Sequence, residues 1–328
     1  MPRTGAVLPK PRGPLSEALV AALVGTPAGS ADVEVAAIDV RPGNPEDGAL
    51  SLWMLYELSY RGYAEVDDRL EFDPELVRLR RRLEDDLERQ LRARWPGRPA
   101  EAAESGFAEA LFTMVEADDG PSLARFVQRE ATADQAIELL QCRSLYHLKE
   151  SDPVALTLPR LPTASRAALA ELQYDEYGGG RPEHLHAHLF AEGLATLGLE
   201  TTEGSYVDQA PLEVLEQNNA MSLFGLNRRL RGASVGHLAA FEATSSLPCR
   251  KMSQGLERLG FPEAIRAYYD EHVEADAVHE QIAARMICEP LIEAEPEIED
   301  DVWFGAWACL DLESRVARHL LERWGVVA

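Results

Sequence analysis

The stretch Pro262-Glu-Ala-Ile-Arg-Ala-Tyr-Tyr-Asp-Glu-His272-Val-Glu-Ala-Asp276-Ala-Val-His279-Glu-Gln-Ile-Ala-Ala-Arg-Met286 decides the fold. It opens on proline, a favoured first helical residue, and no second proline comes before Pro290. Steps of four and three pick out Ile265, Tyr269, His272, Asp276, His279, Ala283 and Met286 as one seam. Glu263, Arg266, Asp270, Glu274, Gln281 and Arg285 fall on the opposite face. This spacing predicts a helix over 262–288 with the first seam turned inward. Two imidazoles and a carboxylate in such a seam are costly to bury unless a metal or a complete hydrogen-bond network compensates. The spacing His-x3-Asp-x2-His stacks them on successive turns of one face, which is how helical bundles hold metal ions.

Outward from this segment the chain reads as helix throughout. A charged amphipathic helix is expected over 74–95, with others near 104–118, 121–129, 131–150, 163–177, 182–197, 211–221, 224–245 and 300–324. Pro96 and Pro99 mark a break. No segment alternates as a strand would and no internal repeat is visible, so the fold class is all-α. Three regions are expected: a poorly ordered lead-in over 1–47, accessory helices over 48–103 packed on the core, and a helical bundle over 104–328.

One helix does not fill a metal shell. In Glu171-Leu-Gln-Tyr-Asp-Glu176-Tyr-Gly-Gly-Gly-Arg-Pro-Glu-His-Leu-His186-Ala-His188, the apolar face Phe190, Leu194 and Leu197 continues from His186, which is therefore expected inward. His184 and His188 are expected at the surface or behind the ligands. Glu176 precedes three glycines whose permissive backbone lets its carboxylate turn toward the same place. Glu150 closes the helix ending Tyr146-His-Leu-Lys-Glu150, and Glu242 sits in a stretch of small and apolar residues that suggests burial. Mixed carboxylates and imidazoles suit iron or manganese better than structural zinc, and several carboxylates with three histidines suggest two metals.

Composition narrows the alternatives. A net charge of −24 over 328 residues argues against nucleic acid as a partner, because phosphate binding needs clustered lysine and arginine. Cys142, Cys249, Cys288 and Cys309 are scattered, as expected of reduced, buried thiols. No apolar run approaches the ~20 residues that span a bilayer. Leu15–Gly25 contains Glu17 and makes a poor signal peptide, so no membrane association and a cytoplasmic location are expected.

With these residues laid out, the chain resembles the haem-oxygenase-like non-haem di-iron oxidases and oxygenases, the iron-containing redox enzymes. The likeness rests on Tyr146-His-Leu-Lys-Glu150-Ser-Asp-Pro, Glu171 to Glu183, the His186-Ala pair, Phe241-Glu242-Ala-Thr-Ser-Ser-Leu-Pro and His272-x3-Asp276-x2-His279. It implies a haem-oxygenase-like bundle, here with additional N-terminal helices. It also implies a metal set of Glu150, Glu176, His186, His272, Asp276 and His279. Glu242 matches a further carboxylate, a ligand with a catalytic part, found in some members including N-oxygenating ones. Further implications are two irons without haem, O2 as co-substrate, a peroxo-di-ferric species and an external electron donor; a homodimer is left open.

The substrate expected is an amino acid or amine-bearing small molecule of specialised metabolism, with N-oxygenation and C–H desaturation or cyclisation near even. Arg228, Arg229 and Arg231 are candidates to receive its carboxylate, or a solvated basic patch. A ferritin-like carboxylate di-iron oxidase is the nearest rival and would use Glu183-x-x-His186, ligating through Glu183 in place of Glu176. A non-catalytic helical binding protein is the alternative from another class.

Overall fold

A computed structural model describes residues 5–25, 36–100 and 105–326, without the side chains of 274–277. The described residues are helical apart from their connections and one isolated bridge between Ala6 and Tyr63. The chain divides into two compact units, residues 1–93 with 202–222, and residues 94–201 with 223–328.

In the first unit α1 (Pro14–Gly25) packs on α2 (Pro45–Glu57), and α3 (Pro74–Arg94) buries Leu76, Leu79, Leu83, Leu87 and Leu91 at helical spacing. Part of the expected lead-in is thus structured: Leu15, Leu19 and Leu23 of α1 are fully buried. The tie is electrostatic as well as apolar. The buried Asp47 carboxylate accepts the backbone N–H groups of Leu15 (3.1 Å), Ser16 (2.8 Å) and Gly43 (2.9 Å), satisfying donors that a helix start leaves open. The Arg12 guanidinium donates to the carbonyls of Val207 (2.7 Å) and Ala210 (2.8 Å). The remainder of that lead-in, residues 1–4 and 26–35, lies outside the described residues.

The second unit is built on α4 (Phe107–Glu116), α5 (Leu123–Arg129), α6 (Ala133–His147), α7 (Thr163–Glu176), α8 (His186–Thr196), α10 (Arg231–Ala243), α11 (Ser246–Arg258) and α12 (Glu263–Gln281). A π-helical turn (Ile282–Cys288), α13 (Glu289–Ala294) and α14 (Glu299–Arg323) complete it, and α9 (Leu212–Leu226) belongs to the first unit through Ser222. A capping box fixes the start of α6: Thr132 Oγ1 accepts from the Gln135 backbone, and the Gln135 side chain accepts from Thr132. The α10 and α14 backbones touch. A Cβ on Gly236 would stand 1.9 Å from the Val302 carbonyl oxygen, and one on Gly305 2.0 Å from that of Ala233.

Two expectations fail here for local reasons. The helix α11 has no counterpart in the expected series, which leaves 246–261 unassigned; Pro248 falls within it. In the structure that proline sits in the first helical turn, where its missing N–H costs nothing. On the central segment Met286, expected inward, is 48% exposed. The π turn inserts one residue, which rotates everything after it by about 100°. Ala283, Ala284, Ile287, Cys288 and Leu291 are buried instead, and the helical path runs through Pro290 to Ala294. No described helix is long and apolar enough to cross a membrane, and all four cysteines are free, three of them buried.

Candidate metal centre

The second unit gathers the chemistry-bearing residues. Glu150 lies in the turn just after α6, Glu176 is the last residue of α7, His186 the first of α8, Glu242 is in the last turn of α10, and His272 and His279 come from α12. All are between 1% and 6% exposed. The helix before Glu150 stops at His147 and not at residue 150, which frees that carboxylate from the helix wall.

The α7–α8 connection explains how Glu176 and His186 meet. Gly178, Gly179 and Gly180 all take left-handed backbone, and a Cβ on Gly178 would stand 2.6 Å from the backbone of His184 and Leu185. Only glycine folds the chain back this sharply. His186 Nδ1 then lies 3.1 Å from Glu176 Oε2, and the His186 and His272 rings are 4.5 Å apart at their centroids.

Two groups of donor atoms form, each with every atom within 4.8 Å of the others: Glu150, Glu176, His186 and His272; and Glu176, Glu242 and His279. Glu176 belongs to both, because its two oxygens face different ways. Oε2 faces His186, whereas Oε1 lies 3.3 Å from His279 Nδ1, which is itself 3.6 Å from Glu242 Oε2. The imidazoles are held in defined tautomers. His272 Nδ1–H donates to the Tyr268 carbonyl (2.7 Å), leaving Nε2 3.5 Å from Glu150 Oε2. His279 Nε2 is 3.0 Å from the exposed carboxylate of Asp175, leaving Nδ1 inward.

Electrostatics follow from this packing. Burial alone would raise the Glu150 carboxyl, but His272 and His147 beside it hold it well below the usual range. Burial is outweighed in the same way at Glu176, where His186 and His279 bring the carboxyl down to about 2. At Glu242 burial wins, reinforced by the charge on Glu176, and the carboxyl is raised. His279 goes to about 11 because Glu176 and Glu242 outweigh its desolvation.

The donor set fits iron. It is all carboxylate and imidazole with no thiolate, the mixture suited to iron or manganese. His186 Nδ1 is buried 3.1 Å from Glu176 Oε2 but out of line for a well-formed hydrogen bond, an arrangement that a bound cation would relieve.

Every expected ligand but one is brought together. Asp276 lies on a helical backbone, and its side chain is outside the described residues. His184 and His188 are exposed. Glu183 is exposed as well, so the ferritin-like pair Glu183 and His186 does not assemble. Arg228 and Arg229 are exposed, and Arg231 pairs with Glu295. Arg231 opens α10 and Arg228 and Arg229 lie in the turn before it, whereas Glu242 nearly ends that helix, about 16 Å along the axis from Arg231 at 1.5 Å per residue.

Sequence reasoning missed Tyr268, His147, Ser151 and Asp175. Tyr268 O–H donates to Glu150 (2.8 and 2.9 Å), His147 Nδ1 lies 3.2 Å from Glu150 Oε1, and Ser151 O–H donates to Glu176 Oε2 (2.9 Å). Tyr268 sits one helical turn before His272 on the same face of α12, and His147 three residues before Glu150; both spacings were available as a signal.

Residues 137–314 match the sequence profile described as iron-containing redox enzyme. Over 147 residues, 45% of this chain, the sequence is 27% identical to the nitrosourea synthase of Streptomyces achromogenes subsp. streptozoticus. That match takes in 31% of the synthase's length. Two crystal structures of a CADD-like protein of unknown function from Nostoc punctiforme superpose at a TM-score of 0.47 with 16% identity, over 73% of this chain and 97% or 95% of theirs. The matched segment spans the helices that carry the buried carboxylates and histidines, and the chain belongs to the iron-containing redox enzyme family, with its all-α, haem-oxygenase-like fold.

Proposed function

We propose that this chain is an O2-dependent non-haem di-iron oxidoreductase that oxidises the nitrogen of an amino acid or another amine-bearing small molecule. One observation carries the dimetal reading: Glu176 turns one oxygen toward the Glu150, His186 and His272 group and the other toward Glu242 and His279. A carboxylate placed this way would be available to two adjacent cations. The substrate class is supported by the partial likeness to a protein named for making a nitrosourea, a product with an oxidised nitrogen. C–H desaturation or cyclisation is the second reading, and the electron donor is external to the chain.

Two ferrous ions, when bound, supply the electrons for reducing O2. The side chains then have separable tasks. Glu150, His186 and His272 would hold one ion and Glu242 and His279 the other, with Glu176 available to both and Asp276 proposed to complete the set. Asp175 and the Tyr268 carbonyl fix which nitrogen of His279 and His272 faces inward. Glu242, whose carboxyl is raised by burial, is the acid best suited to hold a proton beside the reacting oxygen. Tyr146 feels the charges of Glu150, Glu242 and Glu176, and its ring packs edge-on against Phe241 at 5.3 Å, giving a wall that keeps bulk water away.

The test is anaerobic ferrous loading, metal counting, then oxygen uptake with a panel of amino acids and polyamines. Two irons per chain and amine-stimulated uptake are expected. Glu176→Ala should lose iron, whereas Glu183→Ala should not. A chain that retains no iron and consumes no oxygen is a helical binding protein, and the enzymatic reading falls.

A further inference from the structure

Tyr268 reaches the centre twice. Its phenol donates to the Glu150 carboxylate, 2.8 Å from Oε1 and 2.9 Å from Oε2. Its backbone carbonyl accepts from His272 Nδ1 at 2.7 Å, one helical turn along α12. Two side chains of the same donor group, arriving from different elements, are thus oriented by one residue that has no donor atom in the group itself.

The proton inventory makes the arrangement directional. A phenol has one proton to give, and three acceptors stand within reach: both Glu150 oxygens and His147 Nδ1 at 2.5 Å. An ionised carboxylate is the strongest acceptor of these, so the phenol proton goes to Glu150. His147 Nδ1–H then serves the phenol oxygen, and it also lies 3.2 Å from Glu150 Oε1. The chain His147 to Tyr268 to Glu150 closes, with Tyr268 1% exposed and water excluded. The rings are interlocked as well: Tyr268 packs tilted or edge-on against His147 (5.1 Å), Phe190 (4.9 Å) and His272 (4.4 Å). The phenol therefore has little freedom to follow Glu150 if that carboxylate turns.

We infer that Tyr268 is the positioning residue for one half of the centre: it holds Glu150 and His272 in the orientation that a cation requires, before any cation arrives. The other half, Glu242 and His279, does not depend on it. This inference rests on the dimetal reading above, and its experiment separates the two.

The probe is cobalt(II) alone, titrated anaerobically into the full chain and followed through its ligand-field spectrum. The parent protein reports the dimetal reading: two equivalents support it, fewer count against it. Tyr268→Phe, which keeps the ring and removes only the oxygen, reports the inference. One equivalent should weaken by about 10- to 100-fold with an altered spectrum, and the other should stay within twofold. Tyr269→Phe, the loss of a neighbouring buried phenol outside the donor groups, should leave both equivalents and the spectrum unchanged. Equal affinities in parent and Tyr268→Phe would overturn the inference. So would a parallel weakening of both equivalents with a lowered melting temperature of the metal-free protein, which would mark Tyr268 as a packing residue. A crystal structure of metal-free Tyr268→Phe gives a reading independent of any metal. Glu150 turned away from its parent position is expected, and an unmoved carboxylate would refute the positioning role even if the parent binds no cobalt.

Discussion

Replacing Glu176 by glutamine tests the shared carboxylate without changing its shape. Burial opposes the charge on Glu176, yet His186 and His279 bring its carboxyl from 4.5 down to about 2. A folded-state value below the unfolded one means stability that is present above about pH 4.5 and lost as pH falls toward 2. The drop corresponds to about 3 kcal/mol at neutral pH. Glutamine carries no charge, so metal-free E176Q should be less stable by up to that amount at pH 7, and the gap should close as the parent approaches pH 2. Urea unfolding of chelator-treated protein at several pH values measures both. The same variant offers one oxygen and one NH2 where the parent offers two oxygens, so one ion loses its link to the shared side chain. Metal titration of E176Q should therefore show at most one tight equivalent. Unchanged stability at pH 7 together with two tight equivalents would refute the geometry from which both numbers come.

Other outcomes follow from single contacts. Asp47→Ala strands two buried backbone donors at the start of α1 and should destabilise the first unit by about 2 kcal/mol or more, read by denaturation and by new proteolytic cleavage within 14–25; Asp47→Asn should cost less. Burial lowers His237 to about 4, so the parent should lose up to about 3 kcal/mol as pH falls from about 6.5 toward 4 while the unfolded chain takes up the proton; His237→Leu should flatten that part of the profile, and parallel profiles would contradict it. Gly236→Ala forces α10 away from the Val302 carbonyl and should cost about 1–3 kcal/mol, seen as a lower melting temperature with metal stoichiometry unchanged.

The sequence was most informative where polarity contradicted pattern. His272 and His279 stood out because they interrupt an apolar seam, and both are buried in it. His186 was separable from His184 and His188 because its face continues into Phe190 and Leu194, which are fully buried. Glu176 was legible from the glycines behind it. What stayed hidden depended on where the chain goes next. The π turn that exposes Met286 has no single-residue signature. Pro248 breaks or starts a helix according to which turn it occupies. Tyr268 looked like any core tyrosine, because nothing local reveals that a carboxylate from the turn after α6 arrives at its hydroxyl. Arg12 and Asp47, which tie down α1, sit among prolines and glycines that read as a loose segment, and their partners at 207–210 and 15–16 are joined only by the fold.

The π turn at 282–288 divides one continuous helix into two lengths with different phase. Upstream, the phase is set by where His272 and His279 point; downstream, by the packing of Ile287, Cys288 and Leu291 in the core. A one-residue spacer lets these demands be met separately, so hydrophobic substitutions after it can be redesigned without turning the histidines. The same arithmetic gives the segment a specific tolerance: deleting one residue within it would leave an unbroken α-helix whose two lengths still face as they do now, because the π turn winds through about as much as an α-helix one residue shorter. Single-residue deletions should therefore be tolerated within these seven positions and disruptive in the α-helical turns on either side, where each swings one length through about 100°, a signature that a library of single-codon deletions can read directly.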